Sequence, residues 1–495
     1  MTILELLGQG FATVLTPAGL GFVFLGVLIG QIVGALPGIG PAAGMALLLP
    51  LTFGLDPAIA IMMLAGIMYG GQYGGTLTSV LINVPGEASG VMTAVDGHKL
   101  ARAGRAGTAL SIAAIGSFIA GIGAVIAVAF ITPTLSDFAL RFNAPEYFLL
   151  ALLGVTATAS LGASPVRALM AGVLGLMIAL VGADPLSGAP RLTFDQPALF
   201  EGIDFIPVAI GIFGIGEVLA SLERSHAMAP IRTRFRDMLP TMSDWVATRA
   251  AILRGGIIGL FVGIMPGAGA SVASLLAYLT ERKFSRHPER FGKGALDGVA
   301  AAEAANNAAS HGAMIPMLAL GIPGSASTAV LLAALILHGV RPGPMLMQQE
   351  STLVWGLIAS MFVGNLFLLI INLPLAPLFA ALLRVPYVYL APGILALSLV
   401  GAYAATLDLG TVWMCIVFGV LGWLMIKFDI PRPPLVLALV LAPMLEMSLR
   451  QSLLLSFGSL SIFVERPISA VLLMVVLLSL ALPILSALKR SRAGS

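Results

Sequence analysis

Cysteine is almost missing from this chain. Cys415 is the only one in 495 residues, which excludes an intrachain disulfide and any cysteine-built metal cluster. Charge is scarce too: 10% of residues are Asp, Glu, Lys or Arg, against 58% hydrophobic. The five histidines are scattered and offer no zinc constellation. No G-x-S-x-G, P-loop G-x-x-x-x-G-K-[ST] or H-E-x-x-H occurs, so no enzyme is expected and this chain does not itself hydrolyse ATP. The opening M-T-I-L-E-L-L has no basic n-region, so no cleaved signal peptide is expected. A net charge of +3 resides in short basic loops, which argues against nucleic-acid binding.

What is there is apolar and long-wavelength. Hydrophobic stretches of about 20 residues recur from end to end, as an α-helical polytopic membrane protein requires. The short alternating segments of a transmembrane barrel are absent. The expected fold is all-α, with about nine to twelve crossings depending on how many broken segments are re-entrant hairpins.

One pattern occurs twice. Gly34–Gly40 reads G-A-L-P-G-I-G and Gly263–Gly269 reads G-I-M-P-G-A-G. Pairing Pro37 with Pro266 gives an offset of 229, which also aligns Gly26 with Gly255 and Gly30 with Gly259. A second pair of breaks, N-V-P-G-E at Asn83–Glu87 and G-I-P-G-S at Gly321–Ser325, is related by an offset of 238. Each follows a polar interruption, Y-G-G-Q-Y-G-G-T at Tyr69–Thr76 and N-N-A-A-S-H-G at Asn306–Gly312. Paired Gly/Pro interruptions in two hydrophobic halves point to a transporter's binding site. The expected organisation is a first transmembrane repeat over 1–222, a basic cytoplasmic link over 223–254, a second repeat over 255–465, and a terminal helix with a basic tail over 466–495.

Loop charge orients the copies. Cytoplasmic loops collect Lys and Arg. In the first half, Gly54–Asp56 has no base, whereas the loop after the polar interruption carries Lys99, Arg102 and Arg105. In the second half the order reverses, with five bases in Glu281–Lys293 and only Arg341 in Gly339–Glu350. Equivalent loops on opposite sides imply inverted-topology repeats, with the N-terminus outside and the C-terminus inside.

Hydrocarbon satisfies no free N–H or C=O, so breaking a helix at membrane depth is costly unless protein, water or substrate supplies partners. Pro-Gly removes a donor and admits conformations a helix forbids. The half-helix starts left behind present unpaired N–H groups suited to carboxylates. Candidate substrate-binding positions are therefore Pro37, Gly38, Ile39 and Gly40, then Asn83, Pro85 and Gly86, then Pro266, Gly267, Ala268 and Gly269, and finally Pro323, Gly324, Ser325 and Ser327. Glu303, Asn306, Asn307 and Ser310 are candidates for a coupling ion, Glu303 sharing a helical face with the two asparagines. Each feature has a plainer alternative. The small residues can serve close helix packing. Glu303 can be a paired surface acid near Lys293, Glu87 can complement a helix dipole, and His311 can be a satisfied structural histidine. Glu217 is expected to pair with Arg224.

The motifs G-A-L-P-G-I-G-P, Y-G-G-Q-Y-G-G-T-L-T-S-V-L-I-N-V-P-G-E, D-G-H-K-L-A-R-A-G-R-A-G and N-N-A-A-S-H-G-A-M-I-P-M-L-A-L-G-I-P-G-S together resemble the large membrane subunit of tripartite tricarboxylate transporters, the TctA type. The likeness covers nearly the whole chain, although Asp96-Gly97-His98 carries histidine where an aromatic such as tyrosine is expected. The resemblance implies a bacterial inner-membrane permease working with a small transmembrane subunit and a periplasmic substrate-binding protein. It implies uptake of citrate-like di- or tricarboxylates driven by sodium or by protons, with no cofactor. The competing expectations are a stand-alone carboxylate transporter or exporter, and a non-transporting structural membrane subunit.

Overall fold

The computed structural model describes residues 2–36, 39–157, 164–196, 199–223, 231, 238, 240–267, 269–382 and 387–493. In chain order the helices are α1 (Ile3–Val14), α2 (Pro17–Gly34), α3 (Pro41–Leu48), α4 (Pro57–Ile82), α5 (Val91–Leu100), α6 (Ala106–Ala139), α7 (Ala144–Ala157), α8 (Pro165–Ala179), α9 (Phe205–Ala209), α10 (Gly216–Glu223) and α11 (Met242–Ile264). They continue with α12 (Gly269–Phe284), α13 (Leu296–Gly312), α14 (Met314–Leu320), α15 (Ala326–Leu337), α16 (Leu346–Gln349), α17 (Ser351–Leu382), α18 (Tyr387–Thr406), α19 (Leu409–Lys427), α20 (Pro433–Leu455), α21 (Ile462–Glu465) and α22 (Pro467–Ala493). A π-helical turn, Ile210–Ile215, joins α9 to α10. The one pair of strands among the described residues, β1 (Gly182–Ala183) and β2 (Pro190–Arg191), forms a small hairpin between α8 and α9.

Local sequence explains where helices start. Thr16-Pro17, Asp56-Pro57 and Ser164-Pro165 each place an oxygen-bearing cap before a proline at the first helical position. There proline's missing N–H costs nothing and its φ is already helical. Asp56 accepts from Ala58 N–H at 3.0 Å. Thr241 and Asp244 cap α11 reciprocally. Since α11 begins at Met242, part of the arginine-rich stretch read from the sequence as a link is helical.

Eight helical stretches among the described residues are long and apolar enough to cross a membrane, and six shorter apolar helices accompany them. The chain is an all-α polytopic membrane protein.

The centre is built from α2 with α4 and from α11 with α13. Against α4, Gly26, Gly30 and Gly34 bring α2 so close that an added Cβ would lie within 3.0 Å of the Met63, Ile67 and Gly71 carbonyl oxygens. Against α13, Gly255, Gly259 and Gly263 do the same to Ala301, Ala305 and Ala309. These glycines obey the offset of 229 and the residues they touch obey that of 238. One small residue per turn lets two backbones meet. The remaining contacts exchange partners: α6 packs on α11 and α13, α17 packs on α2 and α4, and α6 and α17 meet each other. Likewise α3 lies against α15, and α12 against α5 with the turn before it.

Ion pairs fasten the periphery. Glu217 pairs with Arg432 at 2.6 Å; the Arg224 expected from the sequence as its partner lies outside the described residues. Asp184 of the hairpin accepts from Arg450 of α20 at 2.6 Å, and from the Leu186 and Ser187 N–H groups. Those donors, Arg450 foremost, hold its carboxyl well below the usual carboxylate range. Arg191 meets Glu446 at 2.7 Å, so the hairpin is tied down twice.

Candidate functional site: a polar cleft between the copies

The breaks differ from plain helix ends in being duplicated atom for atom. Asn83 closes α4 with φ 56° and Gly321 closes α14 with φ 72°, both left-handed. The next residue donates back across each cap, Val84 N–H to Thr78 O at 3.3 Å and Ile322 N–H to Pro316 O at 3.2 Å. A Cβ on Gly86 would meet Gly75 and the Gly34 carbonyl, and one on Gly324 would meet Ala313 and the Gly263 carbonyl. Glu87 and Ser325 then take up nearly the same extended conformation. Within each copy the two breaks adjoin: Gly40 faces the Glu87 side chain, and Gly267 N–H donates to Gly324 O at 3.2 Å.

At the centre α4 of the first copy meets α13 of the second. Gln72 Nε2 donates to Ser310 Oγ, and these two residues are equivalent under the offset of 238. Around them lies a polar cleft bounded by α4, α6, α13 and α17, lined by Tyr69, Gln72, Tyr73, Ser117, Glu303, Asn306, Asn307, Asn365 and Asn372 among others. One wall is built around His311. His311 Nδ1 donates to Asn307 O at 2.8 Å, and Asn365 Nδ2 donates to His311 Nε2 at 2.7 Å. That arrangement specifies the neutral Nδ1–H tautomer. Tyr69 stacks on the imidazole, centroids 4.6 Å apart. Asn307 Nδ2 donates to Ser117 O at 2.7 Å. His311 is thus a satisfied structural histidine.

The opposite wall is acidic. Glu303, 2% exposed, accepts from Thr76 Oγ1 at 2.8 Å and from Thr93 Oγ1. Glu87 accepts from Ser89, and the Asn306 amide reaches both carboxylates. Among the described residues neither Glu87 nor Glu303 forms an ion pair. The reading of Glu303 as a surface acid beside Lys293 is therefore overturned by its burial.

The positions singled out in the sequence fall into three groups. Pro37, Gly38 and Ala268 lie outside the described residues. Ile39, Gly86, Gly267, Pro323, Gly324 and Ser327 are buried, and Gly40, Pro85, Pro266, Gly269 and Ser325 are partly so. Asn83 is exposed and serves as the helix cap. Ser325 and Thr328 cap α15 reciprocally, Ser325 N–H reaching Thr328 Oγ1 at 2.9 Å, so two of that half-helix's groups are taken internally. Glu303, Asn306, Asn307 and Ser310 do share α13, but Asn307 turns to α6 and α17 while Glu303 turns to α4 and α5. Sequence reasoning missed Asn365 and Asn372. An asparagine every two turns in the otherwise apolar α17 was the available signal.

The family model described as "Tripartite tricarboxylate transporter TctA family" matches residues 20–437. An uncharacterized 52.8 kDa protein from the TAR-I ttuC' 3' region of Agrobacterium vitis is 43% identical over 493 residues, covering 99% of this chain and 98% of the relative. An uncharacterized protein from the TAR-II ttuC' 3' region of the same organism is 40% identical over 234 residues, 47% of this chain and 97% of the relative. No solved structure matches. With all four breaks and every residue lining the cleft inside the matched span, the chain belongs to the tripartite tricarboxylate transporter TctA family.

Proposed function

We propose that this chain is the permease subunit of a receptor-dependent secondary transporter that imports citrate-like di- and tricarboxylates across the bacterial inner membrane. The observation that carries the reading is the polar cleft: it lies between two copies of one broken-helix unit, buried, with breaks adjoining in each copy. A small transmembrane subunit and a periplasmic binding protein complete the assembly in this reading. Substrate arrives from outside, where the N-terminus lies, and leaves on the side of the basic C-terminal tail. Inverted repeats let the two copies exchange roles as the site faces either side, which is alternating access.

Electrostatics favours cation coupling. Among the described residues no Lys or Arg lines the cleft, and Glu303 already contributes negative charge there. A polyanionic substrate held at the adjoining breaks beside the cleft brings more, so its carboxylates depend on half-helix N–H groups, amides and a co-bound sodium ion or proton. Coupling thus follows from charge balance at the site.

The test is uptake of labelled citrate and other carboxylates into proteoliposomes containing this chain and its small subunit, with and without receptor and an inward sodium gradient. Uptake that requires both is expected. Uptake without receptor would make the chain a stand-alone transporter. None by folded protein would remove transport of carboxylates from its roles.

A further inference from the structure

Four side chains facing the cleft keep polar atoms that make no hydrogen bond among the described residues: Tyr69 Oη, Gln72 Oε1, Asn306 Oδ1, and both amide atoms of Asn372. All four residues are more than nine-tenths buried. A bare buried acceptor costs about 1–3 kcal/mol, and several converging on one space is a pattern that a ligand resolves. Three considerations say which ligand. The atoms are oxygens wherever a bond is missing, apart from the one Asn372 nitrogen, and neutral oxygens are what hard cations take. Glu303 stands in the lining within hydrogen-bond reach of two hydroxyls, and among the described residues it has no cationic partner. The cleft also has room for about one water-sized particle, far too little for a citrate and enough for an alkali ion.

We propose that this cleft is a monovalent-cation site in which oxygens of Tyr69, Gln72, Asn306 and Asn372 take the ion and Glu303 supplies the balancing charge. The ligands come from α4 in one copy, and from α13 and α17 in the other. The ion therefore bridges the copies, and its binding stabilises the arrangement in which they are docked. This deepens the permease reading and rests on it for the ion's role in coupling, but not for the binding itself. It also revises the ligand set expected from the sequence: Asn307 and Ser310 spend their polar groups on protein partners, whereas Gln72, Tyr69 and Asn372 enter.

The experiment is thermal unfolding of the purified chain in detergent across a series of NaCl, LiCl and KCl concentrations, with choline chloride holding ionic strength constant. A ligand that binds only the folded state raises Tm in a concentration-dependent way. The expected result is a saturable rise with one alkali ion, weakened at least tenfold in apparent affinity by Asn306→Ala and by Gln72→Ala. Asn372→Asp keeps the oxygens and adds a charge, so it should tighten binding; it serves as the readout if the alanine variants do not fold. A Tm that ignores all three ions, or responds only to pH, overturns the proposal, as does a response unchanged in every variant. An intact ion response without carboxylate uptake would sink the permease reading and leave the site standing. Sodium-driven uptake with an ion response untouched by the variants would do the reverse.

Discussion

A methyl group on Gly34 would collide with the Gly71 carbonyl, and one on Gly263 with that of Ala309. Backbone is the obstacle in both cases, and it cannot step aside as a flexible side chain can. Gly34→Ala and Gly263→Ala are each expected to destabilise the protein by about 1–3 kcal/mol. Gly21→Ala, in the same helix as Gly34 but with open space around it, should change stability by less than about 0.5 kcal/mol. Thermal unfolding of the three purified variants checks the contrast, and equal effects would refute the close-packing account. The sequence aligned Gly26, Gly30 and Gly34 with their partners in the second half, but it could not separate glycines that admit a neighbour from those that shape a site. Spacing reports which residues share a face, whereas packing depends on what that face meets. Glu217 makes the same point. Among the described residues its partner is Arg432, more than two hundred positions away in the chain.

At the scale of the element, the left-handed residue that ends a broken helix is asparagine in one copy and glycine in the other. Both types enter that conformation at low cost, asparagine through local hydrogen bonding and glycine through its missing Cβ. The two copies thus report independent solutions to one backbone requirement. Gly321→Asn should accordingly leave Tm and uptake near the parent values. Gly321→Val should cost about 1–2 kcal/mol and lower uptake, because a β-branched residue resists the turn on which the Pro323-Gly324 segment depends. Equal tolerance of both substitutions would show that the conformation is dispensable. The Pro-Gly motifs made these breaks visible in the sequence. What happens to their polar groups was not visible: the reciprocal cap of Ser325 and Thr328 withdraws groups that a reading of the motif alone assigns to substrate.

For the whole molecule, the exchange of partners between α6 and α17 and between α3 and α15 on one side and α12 and α5 on the other fits two copies related by a two-fold axis. The inverted topology expected from loop charge would place this axis in the membrane plane. On a Cys415→Ser background, single cysteines at Gly54 and Arg341 should react with a membrane-impermeant maleimide added outside cells. Cysteines at Arg102 and Lys283 should react only after permeabilisation. Labelling of Gly54 and Lys283 from one side would replace inversion with a parallel duplication. The offsets of 229 and 238 carried the duplicated unit in the sequence itself. The meeting of α4 with α13, and the arrival of Asn365 and Asn372 from α17, did not show there, since a hydrophobic pattern records how deeply a helix is buried and not its neighbour.

Gln72 and Ser310 touch although they are the same position in the two copies. Near a symmetry axis each residue of an identical pair must face its own twin, so a substitution there would strike both sides of one contact at once. A single chain escapes that bind. With both copies on one polypeptide, one twin can become a long amide and the other a short hydroxyl, and unlike partners can share a bond that two identical side chains would have to negotiate. The same freedom allows an acidic wall on one flank of the cleft and a neutral one on the other. Fusion of the halves is thus what lets a symmetric scaffold hold a lopsided site.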